Sequence, residues 1–359
     1  MTDSSTHSRE SRYRFDHGEL EGFVFDLLRS IGVAHDPATV VAEALVRADL
    51  RGVDSHGVAR LPAYASNFEA GGFERSPELT IDRSTDSVVL VDADGGPGQY
   101  AGTVAMDRLV ETADETGMAV ASVTNSNHFG TAAYYTEQVA ENGYIGIAMT
   151  NVGPDVIPYG GTDAFFGTNP LSVSIPTDRD FSITLDMATS VVAMGKIDHV
   201  AAATNADLPT GWAVDENGDP TTDPHDVAAL RPVGGPKGYG LALVVDVLCG
   251  LLSGAGTSPS IGALYGEYDE SMGLGHFFGV IDVSAFRDPA AFAVDVGELV
   301  DQLKAQRTRD GTDEIMLPGE IETRTRDRRL SSGVPLSEST YDGLCDLADR
   351  YDVPLPDAR

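Results

Sequence analysis

The sequence predicts an α/β protein built on a mixed sheet, with mostly helical segments supplied by both termini. Three features of the 359 residues carry that prediction. Short β-rich runs alternate with amphipathic helical stretches through the middle of the chain, the pattern of a layered α/β domain. Residues 171–185 read as a hairpin, so at least part of the sheet is antiparallel. The residues before 75 and the end of the chain show helical spacing only.

Taken in order, residues 15–30 form an amphipathic helix, with Phe15, Leu20, Phe23, Leu27 and Leu28 on one side. Asp36-Pro37 reads as the next helix start, Asp36 as cap and Pro37 at the first helical position. That helix runs through Val40, Val41, Leu45 and Val46 toward Asp49, before Gly52 and Gly57 loosen the chain. A third helical stretch covers 61–68. Strands follow at 87–92, 118–124, 144–150, 171–175, 181–185 and 276–283, where β-branched residues cluster between turn formers. Helices are expected at 101–116, 132–142 and 294–307, over the apolar run 241–252, and at 341–351. The expected division is a helical domain of residues 1–80 plus 300–359 and an α/β domain of residues 81–299.

Composition narrows the function. A hydrophobic share of 42% suits a globular chain. The 56 acidic and 24 basic residues give a formal net charge of -32, which argues against nucleic acid and anionic membrane surfaces as partners. Only Lys196, Lys237 and Lys304 are lysines. Such a surface repels itself at ordinary salt, whereas molar salt shortens the screening length to ~3 Å; a high-salt cytoplasm is the expected setting. Cys249 and Cys345 are too few for a disulfide framework. The opening 12 residues are polar and lack the apolar stretch of a secretion signal. Residues 241–252, broken by Asp246 and Gly250, are too short to span a bilayer. The expectation is a cytoplasmic protein.

No G-x-G-x-x-G turn, phosphate loop, H-E-x-x-H site or G-x-S-x-G elbow is present, and the eight histidines lack metal-ligand spacing. No metal is expected. Polar groups at strand and helix ends remain. In a helix continuing through 55–68, His56, Arg60 and Tyr64 would share one face, offering a proton carrier, a carboxylate-gripping cation and a phenol. A solvated helix start capped by Asp54 is the plain alternative. Asn125-Ser126-Asn127-His128-Phe129-Gly130 follows a strand, where α/β proteins place ligand groups, although a simple capping turn has the same composition. Glycine-bearing loops around 151–154, 160–161 and 167–170, with the polar stretch 186–190, expose backbone N–H groups suited to a pyrophosphate or a carboxamide. Lys237 stands at a glycine-loosened helix start, a good anion site, and Lys196 follows Gly195 in a similar way.

Residues 54–60 (DSHGVAR), 125–130 (NSNHFG), 151–170 (NVGPDVIPYGGTDAFFGTNP), 185–196 (LDMATSVVAMGK) and 234–254 (GGPKGYGLALVVDVLCGLLSG) together resemble the malate/L-lactate dehydrogenase family of the non-Rossmann type. That family also holds L-sulfolactate and ureidoglycolate dehydrogenases, diketogulonate reductase and a cyclic-imine 2-carboxylate reductase. The resemblance implies a homodimeric oxidoreductase using NAD or NADP, with a nicotinamide-binding fold unlike Rossmann and a helical domain packed on it. It implies a small carboxylate substrate, most simply a 2-hydroxy or 2-oxo acid, with a cyclic imine or a diketo acid as the alternative. A dinucleotide-binding protein without turnover is a further alternative, against which the retained histidines and Arg60 speak. His56 stands where some members have a proposed proton donor, and His128 where others have a proposed base. Ser55, Arg60 and Tyr64 match substrate-side positions. Asn151, Thr168, Asn169, Asp186, Met187, Ala188, Lys196, Lys237, Gly238, Gly319 and Glu320 match the cofactor side. Asp186 is also a candidate for orienting an active-site imidazole. Beyond residue 322 the resemblance is weakest and implies no role.

Overall fold

The computed structural model describes residues 13–203, 206–266 and 268–359; the polar opening segment 1–12 lies outside the described residues. Strand β1 (Tyr13–Phe15) leads into α1 (His17–Ile31), whose N-terminus is capped by the Asp16 carboxylate accepting from the Gly18 and Glu19 amides. Its buried stripe of Leu20, Phe23, Val24, Leu27, Leu28 and Ile31 follows the predicted spacing. Helix α2 (His35–Leu50) begins before Asp36, so that residue lies inside the first turn and Ala34 is the cap. Two 3₁₀ turns, Asp54–His56 and Val58–Arg60, then precede α3 (Leu61–Ala70). The continuous helix expected over 55–68 is therefore broken, at Gly57 in extended backbone.

The middle of the chain runs β2 (Thr80–Arg83), β3 (Val88–Asp92), α4 (Gly98–Thr116), β4 (Met118–Ser126), α5 (Ala133–Glu141), β5 (Tyr144–Thr150), β6 (Leu171–Ile175), β7 (Ile183–Met187) and α6 (Met194–Ala203). A small three-stranded excursion, β8 (Ala213–Val214), β9 (Pro220–Thr221) and β10 (Ala229–Leu230), comes before α7 (Pro236–Asp246) and its π-helical continuation Val247–Leu251. Strand β11 (Leu274–Asp282) and helices α8 (Pro289–Lys304) and α9 (Glu320–Ser332) follow, then β12 (Val334–Leu336) and α10 (Glu338–Tyr351). The seven-stranded sheet has the order β2-β3-β4-β11-β5-β6-β7. It is mixed: β3 and β4 are parallel and every other neighbouring pair is antiparallel.

Helices α4 and α5 pack on one face of this sheet, and α7 with its π turn packs on the other. The core on the α4 and α5 side joins Val89, Val91, Leu109, Val123, Tyr135 and Phe278. A second core draws Phe15, Leu27, Leu45 and Phe68 from the start of the chain together with Val334, Leu336, Leu344 and Leu347 from its end. Strands β1 and β12 pair antiparallel, tying the two ends of the chain together. Leu264, Met272 and Leu274 also belong to this core, which brings the approach to β11 against the helices and opens a cleft beside them. Among the described residues no helix is long and apolar enough to cross a membrane.

Candidate active site

The cleft is a cavity of about 400 Å³ lined on its polar side by His56, Arg60, His128, Thr150 and Thr168, and on its apolar side by Phe129, Ile261, Leu264, Met272 and Leu274. Residues Asn151 to Asp155 and Gly195 complete it. The two polar segments singled out in the sequence thus meet. His56 and His128 lie nearly parallel, with ring centroids 5.8 Å apart.

The turn carrying His56 is shaped from beneath. Asp49, near the end of α2, is fully buried, and its carboxylate accepts the Val58 N–H at 2.8 Å. A Cβ on Gly57 would stand 1.8 Å from Asp49 Oδ1, so no side chain fits there. Burial pushes the Asp49 carboxyl well above its usual range. Ser55 Oγ lies 3.0 Å from His56 Nδ1, and the Ser55 carbonyl accepts from Arg60 Nε at 2.6 Å. Arg60 also donates to the Tyr265 hydroxyl, and its Nη2 lies 4.0 Å from where a Cβ on Gly195 would stand, both residues lining the cavity.

Tyr64 stands behind His128, fully buried and outside the cavity lining, with its hydroxyl 2.6 Å from His128 Nδ1. Gln99 Nε2 donates to that hydroxyl at 2.5 Å, and the Gly130 N–H points to the same Nδ1 from 3.3 Å. Nε2 of His128 is left for the cavity. Burial pushes the Tyr64 phenol well above its ordinary value, so it stays a neutral hydroxyl. Both active-site imidazoles are held neutral. Crowding by protein, and then the Arg60 cation, lower His56 to about 4. His128 is pushed well below its usual range by burial, then by His56, Arg60 and His276.

His276 is fully buried at the floor. Thr150 Oγ1 meets its Nδ1 at 2.7 Å and Ser126 Oγ its Nε2 at 2.8 Å, while Phe129 stacks on the ring at 4.9 Å. Burial lowers it to about 3. One neutral imidazole thereby joins β4, β5 and β11 below the cavity. Nothing in the local sequence marks His276, Gln99, Tyr265 or Asp49 as site residues, because their partners are distant in the chain.

The residues expected on the cofactor side fall into groups. Thr168 lines the cavity, and its carbonyl receives the Thr189 amide and hydroxyl. Asn151 and Asn169 are fully buried and their side chains turn inward: Asn151 Nδ2 donates to Asp246 and the Gly256 carbonyl, and Asn169 bridges the Val152 amide and the Ala242 carbonyl. Met187 pairs with Leu171 at the end of the β6–β7 hairpin, with Ala188 next to it. Gly238 packs so closely that a Cβ would meet the Val233 carbonyl oxygen at 2.4 Å and that of Thr189 at 2.7 Å. Lys237 is exposed beside it, at the start of α7. The Lys196 ammonium lies 5.3 Å over the Trp212 ring.

Farther along β7, Asp186 accepts the Ala133 N–H at 3.1 Å and has no hydrogen bond to either imidazole. Its surface is open to water on one side, yet the surrounding protein raises its carboxyl to about 6, with Arg51 partly opposing. Gly319 caps α9 against Thr184. Glu320 is buried and bound to Lys304 and Arg324, each at 2.6 Å, so its carboxylate is committed to protein partners. Among the described residues no group of His, Cys, Asp and Glu is arranged to hold a metal ion.

Two imidazoles held neutral and one arginine thus share a small cavity beside a mixed α/β sheet. The family profile described as malate/L-lactate dehydrogenase matches residues 15–345, and the chain belongs to that family. The malate dehydrogenase of Pyrococcus horikoshii is 37% identical over 354 residues, covering 96% of this chain and 97% of that protein. The NAD(+) ureidoglycolate dehydrogenase of Escherichia coli K12 is 34% identical, covering 90% of this chain and 93% of that one. Among solved structures, sulfolactate dehydrogenase from Methanocaldococcus jannaschii matches with a TM-score of 0.90 and 32% identity, over 96% of this chain and 99% of that one.

Proposed function

We propose that the chain interconverts a small 2-hydroxy acid and its 2-oxo acid, of the malate or lactate type, with NAD or NADP. The observation that carries this reading is the meeting of His56, His128 and Arg60 at one cavity. The cavity fits a nicotinamide head group. It has an apolar wall for a flat ring, polar groups at Asn151 to Asp155 and Gly195 for a carboxamide, and a cation for the acid beside it. Its volume suits that head group and a small acid. The rest of a dinucleotide would lie outside, past Thr168, Met187, Ala188 and Lys237, and along β7 toward Gly319.

When bound, the nicotinamide supplies or takes up the hydride. The protein must hold the acid and handle one proton. Arg60, already fixed through Nε, lines the cavity where a carboxylate can be gripped. Nε2 of His128 is the atom set to hold the proton at the substrate oxygen. The Tyr64 hydroxyl can donate or accept, so it matches Nδ1 in either tautomer. Unprotonated Nε2 takes the hydroxyl proton of a 2-hydroxy acid and the ring becomes an imidazolium; in the reverse direction that imidazolium returns the proton to the oxygen of a 2-oxo acid. The Gly130 contact favours the form with the proton on Nε2. Phe129, Leu264, Met272 and Leu274 keep water from the reacting atoms.

The reading includes a homodimer. Leu241, Val244, Val247 and Leu251 on α7 and its π turn are 41–64% exposed. On a chain of net charge -32, such an uncharged apolar strip is where a second copy can approach without repulsion. The proposal also divides the chain into residues 1–80 plus 300–359, which bring His56 and Arg60 to the cavity, and residues 81–299, which bring His128 and Thr168.

The test is oxidation of NADH and of NADPH with oxaloacetate, pyruvate and a cyclic imine 2-carboxylate, for the natural chain and for His128→Asn. Turnover of a 2-oxo acid, lost by ~10²–10⁴-fold in the variant, is expected. Turnover of the imine alone, or full activity in both His128→Asn and His56→Asn, would overturn the reading.

A further inference from the structure

Helix α9 has only two large apolar side chains, Ile321 and Leu330, both exposed, and so no apolar face to pack. In the structure it reaches the turn that carries Ser55, His56 and Arg60. The Arg329 guanidinium donates through Nη1 to the Asp49 carbonyl and grips the Asp54 carboxylate with both Nη1 and Nη2, the Nη2 bond being 3.3 Å. Asp49 ends on a carbonyl in the last turn of α2, where a cation is favoured by the helix dipole. Asp54 opens the 3₁₀ turn of His56. One side chain therefore bridges both ends of the joint between α2 and the turn. Thr325, one helical turn earlier on α9, closes on the same joint: its Cγ2 lies 3.0 Å from where a Cβ on Gly52 would stand.

We infer that Arg329 is a positioning residue that sets the place of His56 and Arg60 in the cavity from the C-terminal helix, without touching substrate. The inference rests on the reading of His56 and Arg60 given above. The Arg329 side chain is only 12% exposed and Asp54 is 57% exposed, so water and salt screen the ion pair in part, and the bond to the Asp49 carbonyl holds the guanidinium in place. Its partners lie on the joint itself, and the Asp49 carboxylate continues the chain of contacts by accepting Val58 N–H. Loss of the grip lets the turn shift while α2 and α3 stay packed in their core. A shift of about 1 Å in such groups lowers turnover on the order of 10²-fold.

The experiment compares the full-length enzyme with Arg329→Gln, Asp54→Asn, the double variant and Arg328→Gln, which removes a neighbouring exposed charge from α9. KM and kcat for the 2-oxo acid, cofactor affinity by fluorescence and melting temperature are read for each. Arg329→Gln is expected to lower kcat/KM by about 10–100-fold with a raised KM and unchanged cofactor affinity. Asp54→Asn should reproduce it, the double variant should be no worse than either single one, and Arg328→Gln should match the parent. A helix that merely stabilised the fold would lower the melting temperature and leave KM alone, because KM does not depend on the folded fraction. Parent-like KM and kcat in both Arg329→Gln and Asp54→Asn, or an equal loss in Arg328→Gln, would overturn the inference. Should Arg329→Gln fail to fold, the exposed Asp54→Asn decides in the same way. If Arg60→Ala raises KM and these two do not, only this inference fails; if Arg60→Ala leaves KM unchanged, the substrate reading itself falls.

Discussion

The rings of His56 and His128 lie 5.8 Å apart and 22° from parallel at one wall of the cavity; burial lowers the proton affinity of both, Arg60 adds to it at both, and His56 adds to it at His128. Neither is a cation at neutral pH. A neutral imidazole is what 2-hydroxy acid oxidation requires, so kcat/KM in that direction should stay level from pH 8 down through 6.5. The loss should come only well below 6.5, because burial pushes His128 far under its usual range and lowers His56 to about 4. A pH profile with its acid limb centred at 6.5 or above would show that the rings are not desolvated in this way.

Arg60→Ala should raise KM for the acid by about 10–100-fold, with a smaller change in kcat, because a charge-assisted contact made before the chemistry is lost. Steady-state kinetics against 2-oxo acid concentration checks it. Arg60→Lys should recover little, since the Nε bond to the Ser55 carbonyl needs the guanidinium fork.

Gly57→Ala should fail more severely than any neighbouring alanine substitution. The new methyl would meet the buried Asp49 carboxylate at 1.8 Å, and the displaced acid would lose the Val58 amide. A loss of about 1–3 kcal/mol of stability is expected from overpacking, together with loss of turnover. Denaturant unfolding beside an activity assay measures both. A parent-like enzyme would mean the turn does not depend on that contact.

His276 sets an acid limit on stability. Its folded value of about 3 lies below the usual 6.5 of the unfolded chain. Between those values the unfolded state binds the extra proton, so stability falls as pH falls from 6.5 toward 3. His276→Phe removes that proton site but strands Ser126, while Thr150 keeps the Asn151 and Gly275 carbonyls, and should lower stability at pH 7 by about 1–3 kcal/mol. The pH slope of unfolding below 6.5 should flatten in the variant; an unchanged slope would assign the acid sensitivity elsewhere.

With 56 acidic and 24 basic residues, mutual repulsion weakens the folded state at low salt. Melting temperature is expected to climb steeply with KCl into the molar range, where the screening length falls to ~3 Å. A flat melting temperature would remove the case for a high-salt setting.

The strands were legible because their β-branched runs are bounded by glycine, proline and aspartate; β6 stands where expected, and its hairpin partner β7 lies two residues later, at 183–187 rather than 181–185. Strand β2, fully exposed, carries no alternation and was not visible in advance. Helix α9 has no apolar stripe, and helix α6 holds Gly195 and Lys196 in its own first turn, without a clear start signal. Met187 and Asp186 belong to strand β7 rather than to the loop after it, since the hairpin continues two residues beyond the apolar run.

What the sequence by itself determined was the chemistry on offer: His56, Arg60 and His128 stand in short segments whose residue types announce proton transfer and carboxylate binding. The alternation of strands and helices determined the α/β class. Only the tertiary structure decided which side chains face the cavity. Tyr64 went behind His128, the Asn151 and Asn169 amides turned into the protein, and Glu320 joined Lys304 and Arg324. Those outcomes depend on partners far away in the chain, because a buried polar group must find whatever donor or acceptor the packing brings to it, and local spacing holds no record of that distance.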